Sequence, residues 1–432
     1  MLLTFSGMVL GLGIDIMIAS KLGASEASDA LFVALGIPVF FDAILREGTK
    51  FSLVPVFLER QSCLEVMEYY DFVSSLLKSV LLFGVVLSLV LEMSAPLIIA
   101  GAGAGLSAAA KSEATNYLRI LSPALIFSSA STILAVFLNS QKRFDLVAVR
   151  SLAVSAVVLP MILLGWESGH FLLLVSSGYL CGFALYNGIL LLGARRTGWR
   201  FRLHAPGASE NLKRLSASVT LPTLGFVLGQ SMRIIERMLA SLAGPGGVAS
   251  YYFGFRIYSA IQTVIGTSVA TSSLPDFSRN YLEGKKAKIA ADLRRKIGKI
   301  CLLTLPMVVI LGFFHKPIIS TIYGYGAFSG ESTEITAQIL LFQSFGMAFN
   351  CSIPILMAVL FAQQKYSLVF KNMLVAFFAN LFLAFFLGRR FGLNGIAVAL
   401  SVSALVGFLC GLYFVIRTDV NPLQRRSNKL TL

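Results

Sequence analysis

The sequence predicts an all-α polytopic membrane protein, and three observations carry that prediction. Hydrophobic residues make up 56% of the 432 positions and charged residues only 13%, with a mean hydropathy of +0.79, too apolar for a water-soluble domain. Apolar runs long enough to cross about 30 Å of hydrocarbon as helices of about 20 residues recur along the whole chain. They are too long and continuous for barrel strands, and irregular backbone cannot face lipid, so the spans are helical. Finally, the basic residues gather in alternate loops: Lys142 and Arg143; Arg195, Arg196, Arg200, Arg202, Lys213 and Arg214; the run from Lys285 to Lys299; Lys365 and Lys371; and Arg425, Arg426 and Lys429. The loops between them, such as "KLGASEAS", "WESGH" and "AGPGGVAS", are nearly bare. This alternation places the basic loops in the cytoplasm, where they also meet anionic lipid heads.

The 20-residue rule gives about twelve transmembrane helices, near 1–20, 29–58, 71–101, 113–140, 145–165, 169–195, 213–243, 247–282, 291–318, 332–362, 367–388 and 393–417. The first run ends in small residues but lacks the basic segment of a secretory signal, so it reads as a span. An even number of spans puts both termini on one side, and the basic C-terminus makes that side cytoplasmic.

The most polar connection, "ARRTGWRFRLHAPGASENLKR", falls at the middle and divides the chain into an N-lobe, 1–200, and a C-lobe, 201–432. The lobes resemble each other. "IDIMIASKLGASEAS" aligns with "IERMLASLAGPGGVAS", and "VPVF" recurs as "LPDF" at nearly the same offset. The expected architecture is therefore two six-helix lobes related by a pseudo-two-fold axis along the membrane normal, with substrate between them.

Charges inside the apolar runs mark the candidate site, because a charge at mid-membrane costs about 2.5–3.5 kcal/mol on insertion scales. In the repeat Glu236 falls on Asp15, one acid per lobe. Arg233 and Arg237 share a helical face with Glu236 between them, and Arg256 lies in the next helix. In the first lobe Asp42, Arg46 and Lys50 form a stripe with Glu47 beside it. Internal ion pairs or snorkelling could account for single members of this set. As a set the arginines exceed the acids, which suits an anion, and guanidinium grips phosphate by its fork geometry. Gly11, Gly13, Gly36, Pro38, Pro222, Gly225, Gly229 and Gly254 are expected to break or thin the helices lining the cleft.

Enzyme chemistry finds little support. Cys63, Cys181, Cys301, Cys351 and Cys410 show no metal spacing, and His170, His204 and His315 are dispersed. The net charge of +15 sits in alternate loops and not in a nucleic-acid patch.

"VLGLGIDIMIASKLGASEASDALFVALGIP", "REGTKFSLVPVF", "AVFLNSQKRF", "SSLPDFSR" and "IYGYGAFSG", in this order and spacing, resemble the MurJ/MviN family of lipid II flippases, within the multidrug/oligosaccharidyl-lipid/polysaccharide exporter superfamily. The resemblance implies a V-shaped, alternating-access transporter of the bacterial inner membrane. It would move an undecaprenyl-diphosphate-linked sugar precursor from the cytoplasmic to the periplasmic leaflet through a cationic cavity. It also implies that Asp15, Asp29 and Arg256 match functional positions, that Glu236 and Arg237 match an acid and base of the seventh helix, and that Glu236 and Asn380 are sodium ligands. Departures accompany it. Met8 and Ile14 stand where the family has arginines, Asp42 and Ala43 where it has a paired arginine, and Ala384 where an acid follows Asn380. Two further C-terminal helices of typical members have no counterpart in this sequence.

The expected function is a flippase for lipid II or a related polyprenyl-diphosphate-linked glycan. Arg46, Arg233, Arg237, Arg256 and Asp29 would bind substrate, and Asp15, Glu236 and Asn380 would serve coupling by sodium or protons. No other cofactor and no nucleic acid are expected. The alternatives are an ion-coupled drug or metabolite antiporter of the same superfamily, whose cavity would favour carboxylates, and an inactive paralogue that scaffolds envelope synthesis.

Overall fold

The computed structural model describes residues 2–202 and 208–420. His204, Arg425, Arg426 and Lys429 lie outside the described residues, as do the side chains of Glu47, Lys50, Lys213, Arg214 and Pro222. The described residues hold helices and no strand. In chain order these are α1 (Leu2–Leu22), α2 (Glu26–Cys63), α3 (Val66–Ala102), α4 (Ala108–Leu121), α5 (Ala124–Ser140), α6 (Phe144–Ala148), α7 (Arg150–Gly165), α8 (Phe171–Arg196), α9 (Ala208–Ser241), α10 (Gly247–Gln262), α11 (Ser268–Leu282), α12 (Lys286–Tyr323), α13 (Gly330–Ser344), α14 (Met347–Ala362) and α15 (Tyr366–Val420), with a π-helical turn, Thr263–Thr267, between α10 and α11.

Local chemistry sets many of these boundaries. Ser25 opens α2 with a capping box completed by Ser28, and the Ser107 side chain caps α4. Pro123, which has no N–H to offer, separates α4 from α5. Gly392, at φ +59°, interrupts the helical backbone of α15, which joins the two segments expected at 367–388 and 393–417.

Each of the twelve expected segments is helical, but they do not all qualify as spans. Among the described residues seven helices are long and apolar enough to cross a bilayer, or eight if the pair α13 and α14, bent by 48°, is one span. α7 has only 16 residues, the charges of α9 dilute its apolar run, and α10 and α11 are short and polar. The expected breaks at Gly11, Gly13, Gly36, Pro38, Gly225 and Gly229 are absent, since α1, α2 and α9 run through them.

The membrane reading is supported by what lies on the outside. Leu82, Met93 and Leu97 of α3 are 67%, 84% and 76% exposed, and Leu302 and Phe313 of α12 are 73% and 78% exposed. Such continuous apolar surface suits lipid and not water.

Two compact units divide the chain. The first comprises 1–252 and 322–332, and in it α2 packs against α4, α5 and α9, α7 against α8, and α3 against α5. The division between the units falls within α10, and α9 packs on α2. A core of Phe57, Phe72, Phe137 and Trp199 fills one end of it. The second unit comprises 253–321 and 333–432, with α14 packed on α11 and α15. There the Ser401 hydroxyl donates to the Phe342 and Gln343 carbonyls and accepts from the Gly346 N–H, which pins the bend between α13 and α14.

Candidate functional site

Within the first unit the candidate charges gather around Tyr252. Its hydroxyl donates to Asp15 Oδ1 at 3.0 Å, and its ring stacks on Phe32 with centroids 4.0 Å apart. The guanidinium of Arg237 lies 6.0 Å from the same ring and donates to the Phe32 carbonyl at 3.3 Å. Cation–π contact and a charge-assisted hydrogen bond thus hold Arg237 against α2. Gly36 makes this possible, because a methyl group there would overlap the guanidinium. Gly36 thins α2 locally, as the sequence suggests, and the space is taken by an arginine. Asp15 and Glu236 are almost fully buried, while Arg233, one turn before Arg237, is exposed.

Asp29, at the start of α2, is fully buried, and both its oxygens are occupied. Oδ2 accepts from the Gly246 N–H and Oδ1 from the Ala249 N–H, each at 2.7 Å. It therefore acts as a remote cap for α10 and satisfies donors that a helix N-terminus leaves over. Gly246 meets this carboxylate at φ +80°, a backbone that side chains rarely adopt. Further main-chain contacts close the same end. The Ala327 N–H donates to the Ser20 carbonyl at 2.7 Å, the Gly105 N–H to the Ser241 hydroxyl at 3.1 Å, and the Ser107 N–H to Glu26 at 2.7 Å. These bonds tie the α1–α2 turn and the α3–α4 loop to the α9–α10 turn and the 322–328 segment.

Further along α2, Asp42 is also buried, and its partner comes from α7. Arg150 Nη2 lies 2.6 Å from Asp42 Oδ2, and the Ser128 hydroxyl donates to Oδ1. The Arg150 guanidinium also lies over Phe183 and Tyr186, at 5.3 and 5.8 Å. The charge of Arg46, one turn on and exposed, reaches Asp42 as well. The expected stripe of Asp42, Arg46 and Lys50 is thus split: Asp42 turns inward to Arg150, and Arg46 turns outward.

In the second unit Arg256 is half-buried on α10, four residues after Tyr252, and Asn380 is buried on α15. Close by, the Asn350 side chain donates to the Tyr258 hydroxyl at 2.6 Å and accepts from Gln262 at 3.1 Å. The described residues contain no cluster of three or more His, Cys, Asp or Glu side chains suited to a metal ion.

The sequence reading missed Tyr252 and Arg150. Tyr252 carried a signal, since a tyrosine in an apolar helix needs a partner for its hydroxyl. Arg150 is one basic residue near a basic loop, and only the packing of α7 brings it to Asp42.

A helical fold with an apolar exterior, in which the buried acids Asp15 and Glu236 lie on α1 and α9 and Asp15 and Arg237 meet at Tyr252, defines a multi-pass membrane transporter. Comparison with known proteins makes this specific. The family described as "Lipid II flippase MurJ" matches residues 18–429, and the chain belongs to that family. A probable lipid II flippase MurJ of Buchnera aphidicola subsp. Acyrthosiphon pisum (strain APS) is 27% identical over 442 residues, covering 98% of this chain and 84% of the relative. One from Thermotoga maritima is 26% identical over 412 residues, covering 94% and 82%. The solved structure "Lipid II flippase MurJ, inward closed conformation" superposes with a TM-score of 0.84 at 23% identity, covering 97% of this chain and 88% of that one. An inward-facing multidrug resistance MATE family transporter follows at 0.72 and 16% identity, with coverage of 98% and 96%. These two likenesses show the fold.

Proposed function

We propose that the chain carries lipid II, or a closely related polyprenyl-diphosphate-linked glycan, from the cytoplasmic to the outer leaflet of the bacterial inner membrane by alternating access, with both termini in the cytoplasm. The observation that carries this reading is the seat of Arg237, a guanidinium held inside an apolar fold by a notch at Gly36, the Tyr252 ring and the Phe32 carbonyl. Holding a cation in so apolar a place has a cost that an anionic head group offsets.

In this proposal Arg233 and Arg237 engage the diphosphate, Arg46 adds positive charge within the same unit, and Arg256 is a further phosphate contact carried by the second unit. Asp29 acts as a latch at the extracytoplasmic end. Its two backbone hydrogen bonds must break for that end to open, and each contributes about 0.5–1.5 kcal/mol net. A few such bonds keep the exit shut yet allow opening on the time scale of transport.

The residues do not fit a sodium site of the family's pattern. One turn beyond Asn380 stands the buried methyl group of Ala384, which offers no ligand. The buried acids Asp15 and Glu236 suit proton exchange instead, and the membrane potential, worth about 2.3 kcal/mol per charge per 100 mV, suits the return of an empty cationic site.

The test is rescue of cells depleted of their own lipid II flippase. The parent chain should restore growth, and Arg237→Ala and Arg256→Ala chains, present in equal amount, should not. Rescue by both variants would remove the arginines from the mechanism, and no rescue by the parent would remove the substrate.

A further inference from the structure

A cleft of about 770 Å³ opens in the first unit where the α2–α3 turn meets the linker after α8, and none of the residues assigned to transport lines it. Glu65, Val66, Met67, Tyr70, Arg200 and Arg202 line it. Its walls are fixed by side-chain donors bonded to main-chain carbonyls. The Tyr70 hydroxyl donates to the Thr197 carbonyl at 2.7 Å, and the fully buried Trp199 indole donates back to the Tyr70 carbonyl at 3.2 Å. The linker is thereby pinned to the first turn of α3, and the cleft exists before any ligand arrives.

The cleft carries both signs of charge. Arg202 is held at the rim by Asp71, with Nη1 3.4 Å from the carboxylate. Arg200 is exposed and has no ion-pair partner among the described residues, and Glu65 is exposed and has none either. Beside these charges stands bare apolar surface, with Val66 68% and Met67 53% exposed, and Phe201, between the two arginines in sequence, 39% exposed. Exposed Arg195, Arg196, Glu59 and Glu68 crowd the same helix ends. Charged groups meeting exposed aliphatic side chains at the end of spanning helices mark the level where lipid heads give way to chains.

We propose that this cleft binds a zwitterionic glycerophospholipid of the surrounding bilayer through a phosphoethanolamine head. The phosphodiester sits against Arg200 and Arg202, the primary ammonium against Glu65, and the acyl chains run over Val66 and Met67. Guanidinium forks suit the phosphodiester oxygens. The ammonium, with three N–H donors, can hydrogen-bond a carboxylate, which a quaternary choline cannot do. A purely anionic head would leave Glu65 facing like charge.

The experiment uses the full chain, purified in detergent and titrated with phosphatidylethanolamine, phosphatidylcholine, phosphatidylglycerol or inorganic phosphate, with bound lipid counted by native mass spectrometry. Phosphatidylethanolamine should be retained about tenfold better than either other lipid, the ratio that one extra charge-assisted contact gives. Inorganic phosphate should not displace it. Arg200→Gln should lower its retention about tenfold, and Glu65→Gln should abolish its advantage over phosphatidylcholine. Both variants should keep the parent's thermal midpoint, since neither side chain is buried. Equal retention of the three lipids, a preference for phosphatidylglycerol, displacement by inorganic phosphate, or indifference to both substitutions would each overturn the proposal.

Discussion

Helix α2 buries two acids, Asp29 and Asp42, and they are satisfied in opposite ways. Asp29 is held by main-chain N–H groups of the α9–α10 turn, so its bonds join the first half of the sequence to the second. Asp42 is held by the Arg150 side chain of α7 and by Ser128 of α5, so its bonds stay within the first half. The chemistry suits the difference. Removing a carboxylate from two neutral donors leaves no stray cation behind, whereas separating Asp42 from Arg150 leaves an uncompensated charge, at a cost of about 3–5 kcal/mol. Under the proposed mechanism Asp42 stays paired within its lobe, and the Asp29 contact is the one that opens.

The largest effect is expected from breaking the fastening. Arg150→Ala should lower the stability of the chain by about 3–5 kcal/mol, read as a fall in thermal midpoint in detergent. Asp42→Asn together with Arg150→Gln, which removes both charges, should recover most of the loss. If Arg150→Ala leaves the midpoint in place, the ion pair does not hold the lobe.

Asp29→Ala should cost less, about 1–3 kcal/mol, because it leaves two helix-end donors without their acceptor. Its distinctive consequence is looser closure. A cysteine introduced at the fully buried Val248 should react faster with a membrane-impermeant thiol reagent from the extracytoplasmic side in the Asp29→Ala chain than in the parent. Equal reaction rates would show that Asp29 does not keep that end shut.

Gly36→Ala should have the smallest effect on stability, under about 1 kcal/mol, because the group it meets is the far end of a flexible side chain. It should nonetheless impair transport by pushing the Arg237 guanidinium from its seat. Full rescue of depleted cells by Gly36→Ala would separate that seat from function.

The class of fold was legible in the sequence because lipid imposes so few options on the backbone. Long apolar runs must be helices, and all the expected segments are. Span counting was less legible, since α9, α10 and α11 carry the charges and polar residues that length-and-hydropathy reasoning discounts. Of the site, Asp15, Glu236, Arg233 and Arg237 stood out because a charge in an apolar run is costly, and the first unit places them in α1 and α9. Their partners were not legible. Tyr252 and Arg150 are brought in by packing between helices distant in sequence, and Gly36, read as a thinning of the helix, gave no sign that an arginine would fill the space. Asp29 was marked only by the resemblance to a known family, and its engagement with the backbone of residues 246 and 249 leaves no trace in side-chain patterns.

The central claim, that contacts between the two sequence halves at the Asp29 end form a latch that opens during each transport cycle, can be tested by locking it. Ser20 and Ala327, whose main chains are hydrogen-bonded at 2.7 Å, would be replaced by cysteines in a chain lacking its five native ones, and movement of fluorescent lipid II across the bilayer would be followed in proteoliposomes. Oxidation should slow movement at least about tenfold, an added barrier of about 1.4 kcal/mol, and reduction should restore it. Movement at the same rate in the cross-linked and reduced forms would contradict the account.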